Sequence, residues 1–195
     1  MRTALFGGTF DPVHLAHLTV AREALDQFCL DEVLFVPASN PPHKTDIGAA
    51  YEDRVAMLEL ACSSEPRFRV SRIEEGAERS YTIRTLERVI PALAAGDRLY
   101  FLIGADAFSE LHTWHRWQEV AATVEFIVVS RPGHQYAVPP EARLQRLETL
   151  ALPVSSSDIR EKLAGGEQPA ELPEAVYQYI RRWGLYGTKR ATLVG

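Results

Sequence analysis

The stretch GGTFDPVHLAH, from Gly7 to His17, says most about the fold. It follows a short apolar run at residues 4–6 and leads into a segment whose apolar residues recur every three or four positions. This order predicts a strand, a glycine turn and a helix. Backbone N–H groups and the positive end of the helix then meet where a phosphate can bind. His14 and His17 share one helix face because they are three residues apart, so imidazoles are expected beside that phosphate.

Asp11 and Pro12 predict where the first helix begins. Aspartate suits the N-cap and proline suits the first helical position, so His14 is expected in the first turn and His17 one turn deeper. Gly7 and Gly8 do not form a GxGxxG fingerprint, because no third glycine follows at the required spacing. A nicotinamide-dependent oxidoreductase is therefore disfavoured.

The composition is that of a globular domain. The chain has 195 residues, 46% hydrophobic and 24% charged. It has no apolar run of about 18 residues and no signal-peptide pattern at its start, so we expect no membrane association. Its net charge of −5 disfavours nucleic acid as a partner. Cys29 and Cys62 lie far apart on apolar segments and are expected to be buried thiols of a cytoplasmic protein.

Short β-rich runs alternate with helical patterns along the chain. This alternation predicts an α/β fold, a Rossmann-like doubly wound and mostly parallel sheet in the order 3-2-1-4-5. Such sheets bind ligands at the C-terminal strand ends, which is where Gly7 stands. The predicted strands are Thr3–Phe6, Glu32–Val36, Phe68–Arg72, Leu99–Ile103 and Val124–Val129, with Leu150–Val154 as a candidate sixth.

We expect one domain over residues 1–195. Residues 1–150 form the core, residues 151–186 a C-terminal helical part, and residues 187–195 a flexible tail without a motif. In the helical part, Val176, Ile180 and Trp183 form one apolar stripe, and Gly184 supplies a C-cap signal.

The segment Val154–Arg160 has two compatible interpretations. Ser155 and Asp158 match a capping box. Three hydroxyls at a helix start, with Arg160 inside the first two turns, also form a second anion site.

Three interpretations of the histidine pair are open. The rings are packing residues without a chemical role, a metal pair, or groups directed at a phosphate. The metal pair is disfavoured, because helical ligand pairs favour i, i+4 spacing and no cysteine or carboxylate accompanies them closely; we therefore expect no metal held by protein ligands. A protonated imidazole would stabilise the charge that develops on a transferring phosphoryl group.

Three further segments have a structural and a functional interpretation each. The lysine of Pro41–Lys44 is a solvated cation or a ligand group on a stiffened loop. The aromatic residues of Trp114–Trp117 pack in the core or bind a flat ring. Tyr81 and Thr82 precede a helix and cap it or face a ligand.

Together, these segments resemble the bacterial nicotinate-mononucleotide adenylyltransferase family of the nucleotidyltransferase superfamily. Six motifs occur in the family's order along nearly the whole chain: GGTFDPVHLAH, NPPHK, SYTIRTL, LIGADAF with TWHRW, RPG and VSSSDIR. Each fragment is weak alone, and their shared order makes the resemblance specific.

The resemblance implies adenylyl transfer from ATP to nicotinate mononucleotide, giving nicotinate adenine dinucleotide and diphosphate, with Mg²⁺ assisting. It implies direct in-line attack without a covalent intermediate, by a monomer or homodimer. By the same resemblance, His14, His17 and Arg160 are the catalytic residues. The implied ATP site comprises Gly7, Gly8, Thr9, Phe10, His14, His17, Gly104, Asp106, Ser156, Ser157 and Arg160. The implied mononucleotide site comprises His43, Lys44, Thr82, Thr85, Trp114 and His115, with Trp114 stacking on the nicotinate ring.

The chain departs from the family pattern at Ala16, where the family usually has glycine, and mildly at Val154 and Ser157. Other acceptors stay open as alternatives, namely nicotinamide mononucleotide and phosphopantetheine, as does a nucleotide-binding protein without activity.

Overall fold

The structure is a computed structural model that describes residues 1–42, 46–150 and 154–190. A six-stranded parallel sheet in the order β3-β2-β1-β4-β5-β6 forms its centre. The strands are β1 (Arg2–Gly8), β2 (Glu32–Pro37), β3 (Phe68–Val70), β4 (Arg98–Gly104), β5 (Glu125–Ser130) and β6 (Arg143–Glu148). The predicted α/β fold and the order 3-2-1-4-5 are confirmed, and β6 extends the sheet beside β5.

The sixth strand does not lie at Leu150–Val154. Leu150 and Val154 lie outside any strand, and residues 151–153 lie outside the described residues. The strand is instead the charged segment RLQRLE, whose side chains are mostly half-buried or exposed. An edge strand pairs on one side only, so backbone pairing with β5 defines it rather than an apolar run.

Helices cover both faces of the sheet. They are α1 (Leu15–Gln27), α2 (Tyr51–Cys62), α3 (Thr82–Val89), α4 (Ala105–Ser109), α5 (Trp117–Thr123), α6 (Ser156–Ala164) and α7 (Glu174–Trp183). Successive strand residues point to opposite faces, so Ala4 and Leu102 belong to one apolar cluster while Leu5 and Phe101 belong to the other. The first cluster includes buried residues of α1, α2, α6 and α7, and the second includes those of α3, α4 and α5.

The helix patterns hold with local differences. Of the apolar residues that recur every three or four positions along α1, Ala21 and Leu25 are buried, whereas Leu15 and Leu18 are only half-buried. Gly184 adopts the left-handed conformation (φ 66°) of a C-cap, as predicted. Trp183 is 46% exposed and lies outside the apolar stripe of α7.

Both cysteines are free thiols, as expected. Cys62 is buried, and burial raises the pKa of its thiol to about 12. Cys29 is exposed, which corrects the prediction that both are buried. It lies two residues after the last residue of α1, with a φ of 48°, so the helical face that suggested burial does not extend to it.

Candidate active site

The first helix begins later than predicted. The N-cap of α1 is His14, and the helical residues start at Leu15. The Asp11 carboxylate does not cap this helix, because it accepts hydrogen bonds from the backbone N–H groups of Gly48 (2.7 Å) and Ala49 (3.1 Å). The Asp11–Pro12 peptide bond is cis.

His14 and His17 nevertheless lie together at the start of α1. Their rings stack with centroids 3.7 Å apart. The backbone N–H of His14 donates to Nδ1 of His17 at 3.2 Å. Because Nδ1 accepts this bond, a neutral His17 carries its ring proton on Nε2. The pair is thus held by the helix N-terminus itself.

The Phe10 ring packs against the His17 ring. It lies edge-on to the His17 ring with centroids 5.0 Å apart, and it is buried. A Cβ at Gly8 would stand 2.9 Å from the Phe10 ring, so a side chain at this position would displace it. Gly8, the last residue of β1, therefore leaves room for the Phe10 ring to pack against the imidazole. Thr9 is buried beside them.

The second predicted anion segment packs against the first. Ser155 caps α6 by accepting the N–H of Asp158, as predicted. The Ser156 hydroxyl donates to the carbonyl of Pro12 at 3.0 Å. Arg160 Nη1 donates to the carbonyl of Asp11 at 2.8 Å, and Nη2 lies 3.4 Å from the Ser157 hydroxyl. Two segments about 140 residues apart in sequence therefore meet, and a hydroxyl and a guanidinium of the second contact the backbone just before the histidine pair.

A cavity of about 190 Å³ opens where the strand order reverses, between the C-terminal ends of β1 and β4. Gly7, Gly8 and Gly104 form its strand-end wall, and Phe101 and Trp114 supply aromatic surface. Trp114 is half-buried and lies edge-on to Phe101, with ring centroids 5.9 Å apart. The indole is therefore positioned to contact a flat ring in this cavity.

The start of α3 forms the opposite wall of this cavity through Thr82 and Thr85. Thr82 is the first residue of α3, where helix N–H groups have no intrahelical partner. The Thr85 hydroxyl donates to Oε1 of buried Glu74 at 2.5 Å, and its N–H donates to the carbonyl of Tyr81. Thr82 is thus better placed than Thr85 to offer a backbone donor.

His115 is exposed, and its ring lies against Tyr81 with centroids 4.6 Å apart. Both residues line a second opening of about 350 Å³ that also contains Pro41, Pro42 and Trp114. His43 and Lys44, predicted to contact the mononucleotide, lie outside the described residues.

A third cavity, of about 420 Å³, lies on the other side of β4. Gly104 and Asp106 line it, as do Ala16 and Val20 of α1. Arg131 and His134 from the loop after β5 complete its rim. Gly104 lines both this cavity and the one beside Trp114, so the two cavities meet at the end of β4.

Four residues near the site have no role predicted from the sequence. The RPG motif is the signal that could have found Arg131, whereas His134 belongs to none of the motifs named above. Arg54 and Tyr186 carry no signal in the sequence. Arg54 donates to the carbonyl of Thr9 and Tyr186 donates to the carboxylate of Asp11, and only the fold brings these residues together.

Burial determines the charge of His14. Its side chain is 4% exposed, and burial lowers the pKa of His14 from 6.5 to about 4, although the nearby carboxylate of Glu171 raises it. His14 is therefore neutral at pH 7 in the protein without ligand. A bound phosphate would raise its pKa, so phosphate binding at this position is expected to take up a proton.

The lowered pKa predicts a pH dependence of stability. Between pH 6.5 and pH 4 the unfolded chain binds a proton at His14 that the folded protein does not, so stability falls as pH falls through this window. The loss attributable to His14 is about 3 kcal/mol, from about 1.4 kcal/mol per pKa unit. It is measured as the difference in the free energy of unfolding in urea between the wild type and His14→Gln from pH 7.5 to 4.

The matched control is His112→Gln, because His112 is exposed. Its stability curve is expected to follow that of the wild type. A His14→Gln curve parallel to the wild type across the same window would contradict the lowered pKa.

Among residues 1–42, 46–150 and 154–190, no group of three or more His, Cys, Asp or Glu side chains could hold a metal ion. Within the same residues, no helix is both long and apolar enough to cross a membrane.

The chain matches the cytidylyltransferase-like family model over residues 5–162. It is 57% identical over 187 residues to a probable nicotinate-nucleotide adenylyltransferase of Solibacter usitatus, with 95% of this chain and all of that protein covered. It is 42% identical to a protein of the same name from Exiguobacterium sibiricum, with 96% and 100% covered. A solved structure of Plasmodium falciparum nicotinic acid mononucleotide adenylyltransferase complexed with NaAD shares the fold, with a TM-score of 0.80 at 17% identity and 96% and 98% coverage.

The sheet order and the family model together define a nucleotidyltransferase of the cytidylyltransferase-like class. Within that class, the chain belongs to the nicotinate-nucleotide adenylyltransferase family, since the identity to these relatives extends over nearly the whole chain.

Proposed function

We propose that this enzyme transfers the adenylyl group of ATP to nicotinate mononucleotide, giving nicotinate adenine dinucleotide and diphosphate in NAD biosynthesis. The observation that carries the proposal is the pair of cavities that meet at Gly104, with the histidine pair at the start of the adjoining helix. Two nucleotides can lie on opposite sides of β4 and react where the cavities join.

The donor nucleotide is assigned to the cavity with Asp106. Its exposed carboxylate suits ribose hydroxyls as a hydrogen-bond acceptor, and Gly104 leaves room for the adenosine. The triphosphate would then extend along Gly8 to the histidines and to Ser156, Ser157 and Arg160. Donors that converge on one anion from two helix starts are typical of phosphate sites.

The acceptor is assigned to the cavity with Trp114. The indole offers a face for the pyridine ring. N–H groups at Thr82, and around His115 in the second opening that shares Trp114, offer donors for its carboxylate. An amide in the same place would leave such donors poorly paired, because its NH₂ is itself a donor. His43 and Lys44 are assigned to the acceptor phosphate from the sequence resemblance.

In the proposed step, an oxygen of the mononucleotide phosphate attacks the α-phosphorus of ATP in line with the bond to the β-phosphate. The new P–O bond forms as the old one breaks, and diphosphate leaves with its electron pair. His17, protonated His14 and Arg160 stabilise the charge on the transferring group and on the diphosphate. No covalent enzyme intermediate is required.

Mg²⁺ is proposed to enter with ATP, coordinated by phosphate oxygens. The carboxylate of Asp11 is already held by backbone N–H groups and is not assigned to the ion. When bound, the ion neutralises part of the triphosphate charge. The two free thiols fit a cytoplasmic location.

The test is diphosphate release from ATP and Mg²⁺ with each candidate acceptor. Nicotinate mononucleotide is expected to give a kcat/KM at least about 10-fold above nicotinamide mononucleotide, given the cost of leaving paired donors unmatched. Phosphopantetheine is expected to give none. Equal or faster turnover with the amide would contradict the assignment of the acceptor.

A further inference from the structure

The Asp11 carboxylate accepts several hydrogen bonds next to the proposed phosphate site. It is 3% exposed, and backbone N–H groups of Gly48 and Ala49 donate to its two oxygens. The Tyr186 hydroxyl donates a third hydrogen bond to Oδ1 at 2.7 Å. A buried carboxylate keeps its charge only when such donors compensate for the lost water.

Two arginines flank this carboxylate. Arg54 is 1% exposed and is held by the carbonyls of Thr9 (2.7 Å) and Ala49 (3.3 Å). Arg160 Nη1 donates to the Asp11 carbonyl and lies 3.5 Å from Oδ2, which is too far for a normal hydrogen bond. Arg160 Nη2 also lies 3.9 Å from the exposed carboxylate of Asp46. The buried Asp11 carboxylate thus acts on two arginines, and Arg160 has a second, solvent-exposed partner beside the site where a triphosphate is expected.

Tyr186, which donates to this carboxylate, is 175 residues away from Asp11 in sequence. It lies on the short 3-10 turn Leu185–Gly187 with a φ of 54°. Its ring covers Gly48, where an added Cβ would stand 2.9 Å from the ring and 3.0 Å from Cδ of Arg160. Burial and the Asp11 charge raise the pKa of Tyr186, so the phenol stays protonated and donates.

We propose that Tyr186 is a positioning residue, whose hydroxyl holds the Asp11 carboxylate so that Arg160 stays available to the phosphates of ATP. Without this donor, Oδ1 lacks one of its partners in a site with little water. Arg160 Nη1 lies 3.5 Å from the other oxygen, Oδ2, and the carboxylate charge that Tyr186 no longer compensates at Oδ1 would draw the guanidinium into a full ion pair. The guanidinium would then be drawn to Asp11 and away from the nucleotide.

The proposal rests on the function proposed above, and its test separates the two. Tyr186→Phe keeps the ring and removes the hydroxyl. It is expected to raise the Kd for α,β-methylene-ATP with Mg²⁺ by about tenfold in calorimetry, and to lower kcat/KM for ATP equally. KM for the acceptor is expected to change less than twofold. Because the calorimetric measurement needs no turnover, it is informative even if the acceptor assignment fails.

The matched control is Tyr179→Phe. Tyr179 lies on α7 and donates to the Asp53 carboxylate of α2 at 2.9 Å, so this variant also removes a tyrosine–aspartate bond that docks the C-terminal part. Its ATP affinity is expected to stay at the wild-type level, whatever stability it loses. Equal losses of ATP affinity in the two variants would show that only the docking of the C-terminal part matters, and would overturn the proposal.

A double-mutant cycle tests whether Tyr186 acts through Arg160. In an Arg160→Met background, Tyr186→Phe is expected to change ATP affinity by less than twofold. A persisting tenfold effect would refute the proposed route. Gly48→Ala, which pushes on both the ring and the Arg160 stem, is expected to weaken ATP binding as well and provides a second variant should Tyr186→Phe fold poorly.

Discussion

Replacing His17 by alanine is expected to lower kcat by about 10²-fold or more, the usual cost of losing one group that stabilises transition-state charge. The residue lies on the third helical position of α1 with its ring stacked on His14, directly beside the segment that carries Arg160. The measurement is steady-state diphosphate release at saturating ATP and acceptor.

The side chain of His17 also accepts the N–H of His14, so alanine removes a helix cap worth about 1 kcal/mol. His17→Gln separates the two roles, because glutamine at this position can accept the same bond. Both variants are expected to lose activity, while only alanine lowers the unfolding temperature. Turnover near the wild-type level in either variant would remove His17 from the mechanism.

Replacing Arg160 by methionine is expected to lower kcat/KM for ATP by about 10³-fold, the lower end of the effect of an arginine on a transferring phosphoryl group. Its guanidinium is 22% exposed beside the start of α1, where it can reach both the Asp11 carbonyl and a bound phosphate. Steady-state kinetics with varied ATP at saturating acceptor measures the change.

Two variants control for charge and for folding. Arg160→Lys keeps the cation without the planar fork and is expected to recover part of the loss. Lys162→Met removes a cation from the same helix that pairs with Glu171, and it is expected to leave kcat/KM for ATP within about twofold. A loss in Lys162→Met similar to that in Arg160→Met would indicate a general electrostatic effect.

The predictable parts of the fold are those that local patterns determine. Five strands follow from apolar runs between helical stripes, and their buried side chains alternate between the two clusters. The strand Arg143–Glu148 escaped prediction because an edge strand with half-exposed faces needs no apolar pattern. The prediction that Trp183 belongs to the apolar stripe of α7 was wrong for the converse reason. Helical spacing alone does not provide a surface that covers the side chain, and Trp183 is exposed.

The site divides in the same way. The residue types of Gly7–His17 and Val154–Arg160 predict two phosphate-binding helix starts, and resemblance brings them into one enzyme family. Asp11 shows the limit of this reasoning. Its place in the sequence predicts an N-cap. In the fold, its carboxylate instead accepts hydrogen bonds from Gly48, Ala49 and a tyrosine 175 positions away.

The sequence by itself determined the alternating α/β pattern, the two segments proposed to bind anions and the family, because each depends on residue type and spacing over short stretches. Only the tertiary structure decided where α1 begins, that His14 is buried and neutral, and that Arg54, Arg160 and Tyr186 surround one carboxylate. Hydrogen-bond partners and burial depend on segments far apart in sequence, and the packing of the sheet determines which of them meet.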